Sequence, residues 1–202
     1  HILGNISSIF PFSLMEVLCT AFVVWAVYYA VRGVYLTVKS EKKAETALKR
    51  AFVLLSAFVY IAVSFFAVFG VDYQSESFSE KSGLHSQGVT TQDLISATKY
   101  FARLASETSY LVPRDENGSV VLDMDEIFAY AASSYQGAEK EFSFLGGKIF
   151  TPKKMLFSAV MSYMGFTGIY FPFTGESNVN VHQPDVGVPS TITHEIAHQK
   201  GF

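Results

Sequence analysis

Cysteine is almost missing from this sequence. Cys19 is the single one in 202 residues, so no disulfide within the chain can scaffold the fold. Charge is scarce as well. Charged residues make up 16%, with a formal net charge of −3. That lacks the basic surplus of nucleic-acid binders, so no nucleic-acid partner is expected. A chain with so much apolar residue and so little net charge is not a disordered one either. No glycine-rich phosphate loop, internal repeat or low-complexity tract is present. What is abundant is apolar and aromatic: half the residues are hydrophobic, with 19 Phe and 11 Tyr. The length admits one large domain or two small units.

The apolar residues are not spread evenly. Val17 to Val31 carries no charge, and Glu16 and Arg32 bound it. Ser13-Leu14-Met15-Glu16 has the S-x-x-E form of a helix-capping box, and Pro11 precedes it. A helix over about 14–36 would be long enough for a bilayer core of about 30 Å at 1.5 Å per residue. Tyr28, Tyr29 and Tyr35 would lie near one interface, and Arg32 can reach headgroups. A second uncharged run, about 51–71, follows Lys49 and Arg50. Two transmembrane helices are therefore expected. Arg32, Lys39, Lys42, Lys43, Lys49 and Arg50 are the six basic residues before residue 72. The positive-inside rule puts their linker in the cytoplasm and the rest outside. No signal peptide is visible, and the start at His1 reads as that of a fragment.

Residues 72–202 differ in composition, with 9 Lys/Arg against 15 Asp/Glu. Asp72 to Gly88 reads as an irregular lead-in, with His85 a solvated loop residue. Thr90 to Glu107 reads as an amphipathic helix, Thr90 capping and Asp93 answering it. Asn117-Gly118-Ser119 is a formal glycosylation sequon that a turn explains. Asp123 would cap a helix to about Phe142. Gly146-Gly147 is a break. Thr151-Pro152 would start a helix ending near Gly165. Met155 to Thr174 has no charge and could form a third span, but its Gly, Pro and polar residues favour a core helix and then an apolar strand. Ser177 to His182 alternates, with Asn178, Asn180 and His182 on one face.

Chemistry concentrates in His194-Glu195-Ile196-Ala197-His198. Four residues apart on a helix, both imidazoles share a face and can reach one Zn²⁺. Glu195 can take a proton from zinc-activated water without ligating the ion. Ser190 or Thr191 would cap this helix and Gly201 would end it. The extended segment upstream lies where zincin-type peptidases keep a substrate-binding edge strand. Asn178 and Asn180 could bond a substrate backbone there, and Glu176 precedes them. His182 fits no ligand spacing. His198 to Gly201 also fits the start of the longer HExxHxxGxxH pattern. Two protein ligands rarely hold catalytic zinc, which usually has three.

The stretch GIYFPFTGESNVNVHQPDVGVPSTITHEIAHQKGF (Gly168 to Phe202) resembles a bacterial family known as domain of unknown function 3810. PFSLMEVL (Pro11 to Leu18) resembles its membrane-entry motif. The resemblance implies a membrane-anchored metallopeptidase of the zincin type, with His194, Glu195 and His198 on the active helix. It also implies a Glu-rich stretch past Phe202 that would supply the third ligand. The expectation is thus an α-helical membrane anchor over residues 1–71, then an α+β zincin-like domain over 72–202, incomplete at its C-terminus. The domain would sit outside the bacterial cell membrane and hydrolyse a peptide or protein substrate. The alternative is a non-catalytic, membrane-anchored zinc-binding or partner-binding module. An HExxH site within the bilayer is disfavoured by the polarity of Thr191 to Gly201.

Overall fold

The computed structural model describes residues 2–70, 74–84 and 88–202. A short helix α1 (Ile2–Ser7) precedes two long ones, α2 (Leu14–Lys39) and α3 (Lys43–Val68). Each long helix has 26 residues, about 39 Å at 1.5 Å per residue. Both are long and apolar enough to cross a membrane. Only 11% of the most apolar stretch of α2 is buried, and none of that of α3. A core helix of a water-soluble domain would be mostly buried, so these exposed apolar surfaces fit membrane association.

The ends of these helices differ from those read in the sequence. Ser13 caps α2 and accepts from the Glu16 amide, as its motif requires. The helix runs past 36 to Lys39. α3 starts at Lys43 rather than near 51, because Ala44, Ala47 and the Glu45–Lys49 ion pair at 2.7 Å favour helix through the basic linker. Only residues 40–42 remain between the helices. The expected end at Val71, like Asp72 and His85, lies outside the described residues.

The chain packs as two compact units, His1–Ser75 with Gly147–Phe202, and Glu76–Gly146. This grouping cuts across the division at residue 71. The second unit opens with α4 (Phe78–Ser82), inside the stretch read as irregular. Ser77 and Glu80 form a full capping box there, a local signal the composition of that stretch obscured. α5 (Thr91–Thr108) has the Thr90–Asp93 box expected. Residues 115–119 turn on the Asp115 carboxylate, and Arg114 and Val120 make an isolated bridge. Asp123 caps α6 (Met124–Tyr130), but this helix stops well before Phe142. Ser133 and Ser134 donate to the carbonyls of Tyr130 and Ala131, and such bonds compete with the helix ladder. α7 (Ala138–Glu141) is a separate turn. Phe78 packs edge-on against Phe142 and Phe144.

The first unit holds a small sheet in the order β1–β3–β2. β1 (Lys153–Lys154) pairs parallel with β3 (Glu176–Val179), and β2 (Gly168–Phe171) pairs antiparallel with it. Here Thr151-Pro152 does not start a helix. The chain enters the sheet instead, and α8 (Ser158–Tyr163) begins only afterwards. Met155 to Thr174 is therefore not a third span: α8 is six residues long, about 9 Å. Gly165 turns away at φ +78°, and β2 follows. β3 is the central strand, and all four of its residues are buried. An edge strand was expected at this position. α9 (Val188–Gln199) lies on the sheet and buries Val188, Ile192 and Ile196 with Val179.

Candidate functional site

α9 carries the HExxH sequence. It starts earlier than Ser190 or Thr191, with Gly187 before it and Pro189 in its first turn, where a missing N–H costs nothing. Its end is as expected. Gly201 has φ +84°, its amide bonds the His198 carbonyl, and the Phe202 amide bonds that of Ala197. This is the two-bond Schellman closure that a glycine permits.

His194 and His198 meet on one face of α9. Their rings are 4.9 Å apart at 86°. His194 is exposed and His198 half-buried. His198 Nδ1 lies 2.6 Å from the Phe202 carbonyl oxygen. A carbonyl only accepts, so Nδ1 is the donor in this bond, which leaves Nε2 as the nitrogen that would face a metal. A neutral imidazole held by such a bond is the usual form of a metal-ligating histidine.

Glu195 is packed against Gly168 of β2. It is 4% exposed, and burial pushes its carboxyl up to about 7. A cation held by the imidazoles would act in the opposite sense. Its Oε2 is buried with no hydrogen-bond partner. A buried orphan carboxylate oxygen is rare and calls for an ion, water or ligand. Gly168 of β2 makes room for this side chain. A Cβ there would sit 2.6 Å from Glu195 Oε1 and 2.8 Å from Thr191 Cγ2. Ser177 donates to the Glu195 carbonyl at 2.7 Å, and Gln199 donates to Ser177. The motif is thus clamped to β3 from beneath. Gly168, Ser177 and the Phe202 carbonyl were not read as site residues. Only Phe202 carried a signal, through the helix end at Gly201.

The other candidate residues lie deeper. Glu176 is 3% exposed. Its carboxylate accepts from the Leu14 and Met15 amides, Thr174 Oγ1 and Lys153 Nζ. Asn178 is fully buried, donates to the Ile169 and Glu176 carbonyls, and leaves Oδ1 unpartnered. Asn180 donates to Ser162 and Phe166 and accepts from the His182 amide. Asn178 lies on the central strand and Asn180 just past its end. His182 is exposed, and its carbonyl accepts from Ser162. Cys19 lies on α2.

Among the described residues no three His, Cys, Asp or Glu side chains come together to hold an ion. The donors that fit one are the two imidazoles. Tyr170 of β2 lies 6.2 Å from the His198 ring. It also lines a cavity of about 300 Å³ with Leu3, Phe150, Pro172 and Gln199.

Two exposed helices long and apolar enough to cross a membrane, joined to a mixed helical and sheet unit, point to membrane association. The chain belongs to the family described as "Protein of unknown function (DUF3810)", which matches it over residues 1–202. No curated protein and no solved structure matches it.

Proposed function

We propose that this protein is a membrane-anchored zinc-dependent metallopeptidase whose site faces the outside of a bacterial cell. The observation that carries the reading is the pair of imidazoles on α9, with the His198 ring oriented by the contact of its Nδ1 with the Phe202 carbonyl. His194 and His198 would hold zinc, with a carboxylate beyond Phe202 as third ligand. Bound zinc supplies a Lewis acid and makes a nearby water more acidic. Glu195 takes the proton of the attacking water and returns it to the leaving amine. Its unpartnered Oε2 supports that role. Asn178 in the central strand and Asn180 just past its end, both buried, would hold the sheet under α9. The free edge of β2 would receive the peptide backbone instead.

One observation favours the non-catalytic alternative. Glu195 is packed against Gly168, away from solvent. Zinc content and hydrolysis of the protein extended past Phe202 separate the two. About one zinc per chain, lost in His194→Ala, is expected. Glu195→Gln should keep the zinc and lose at least about a hundredfold in hydrolysis, the scale of general-base catalysis. Zinc without turnover in the wild type would establish the alternative. No zinc would remove both.

A further inference from the structure

The uncharged run Met155 to Thr174 remains without a role once it is seen not to span. Its placement supplies one. At its start, the amides of Leu156 and Phe157 donate to the Glu16 carboxylate at 3.0 and 2.7 Å. Glu16 lies in the first turn of α2, and Val17 is the first residue of that helix to emerge exposed beyond it. At its end, Phe173 packs on Phe65 and Tyr170 on Phe69. Those two rings lie at the last turn of α3. One segment therefore touches both apolar helices at the ends where they leave the sheet.

Between these two anchors the segment exposes apolar side chains. Leu156 is 79% exposed and Tyr163 94%, and Phe157, Val160, Met164 and Phe166 are exposed too. No Asp, Glu, Lys or Arg interrupts them from 155 to 174. In water such a patch is a liability. At the rim of two apolar helices it is continuous with the surface that lipid would cover. Aromatic and aliphatic side chains beside a tyrosine suit the headgroup boundary.

We infer that Leu156 to Phe166 is an interfacial platform that seats in the outer leaflet of the bilayer, its occupant being lipid. The inference rests on the membrane reading of α2 and α3. It sets the level of the HExxH helix, because Tyr170 joins the Phe69 ring on one side to His198 on the other.

The test uses the full chain with Cys19→Ser, in vesicles of phosphatidylethanolamine and phosphatidylglycerol. Leu156→Cys, Val160→Cys and Met164→Cys each receive an environment-sensitive fluorophore, with Val24→Cys as reference within α2. All four side chains are more than half exposed, so labelling leaves the packing intact. Lipids with quenchers near the headgroup should dim 156, 160 and 164 more than lipids with deep quenchers. Val24 should show the reverse. Water-like emission at the three sites with Val24 quenched by lipid would overturn the platform and leave the spans standing. Water-like emission at all four would overturn the platform together with the membrane reading.

Discussion

At the scale of single residues, Glu195 is shaped by a neighbour it has no sequence relation to. Gly168 lies on β2 so close to α9 that any Cβ meets the Glu195 carboxylate and the Thr191 methyl below 3.0 Å. Gly168→Ala should therefore cost about 1–3 kcal/mol by overpacking. Part of that cost should vanish when Glu195→Ala empties the space, and thermal unfolding in detergent of the two single variants and the double one measures it. Strictly additive losses would mean that the two do not meet. The pairing of His194 with His198 was legible in the sequence because i, i+4 proximity belongs to any helix. The surroundings of Glu195 were not, because they depend on which strand lies beneath that helix. Asn178 and Asn180 show the same limit. Their alternation was legible, but alternation looks alike on a central strand and an edge.

At the scale of elements, two carboxylates cross between the start of α2 and the sheet. Glu176 of β3 caps the first two amides of α2, and Glu16 of α2 caps the amides leading into α8. Both place negative charge at a helix start, where it is favourable. Lys153 neutralises Glu176 and also donates to the carbonyls of Ser7 and Phe12. Removing one partner of a buried pair strands the other, so Glu176→Ala should cost about 3–5 kcal/mol. Glu16→Ala, whose loss is two charge-assisted bonds on amides near the surface, should cost about 1.5–3 kcal/mol. Unfolding followed by proteolysis of the α2–β3 region checks both, and equal small losses would show that the crossing is ornamental. Half of this was readable. The S-x-x-E motif marked the start of α2, but its Glu16 carboxylate serves Leu156 and Phe157 instead of returning to Ser13. Elements stabilised locally, such as the Thr90–Asp93 box and the Gly201 helix end, fell where the residues predicted. β1 did not, since two residues become a strand only by pairing with Asn178 and Val179.

At the scale of the whole molecule, the proposed orientation follows from charge alone. The basic residues of the first 71 cluster between Arg32 and Arg50, at the end of the α2–α3 pair away from the sheet. Residues 40–42 form the turn there, while Glu16 at the other end of α2 bonds the amides before α8. In the proposed orientation the two helices would separate the basic turn from α9 by about 30 Å of hydrocarbon. A topology with the turn outside would carry Lys39, Lys42, Lys43 and Lys49 across the bilayer during insertion, against the positive-inside bias. In a Cys19→Ser background, Glu41→Cys should resist a membrane-impermeant maleimide in intact cells and react after lysis. Asp185→Cys, exposed on the loop before α9, should react in both. The reverse pattern would put the imidazole pair in the cytoplasm and remove extracellular peptides as substrates. Reaction of both sites in intact cells would leave the basic turn on the same side as α9, and the helices would then be an apolar hairpin lying within one leaflet.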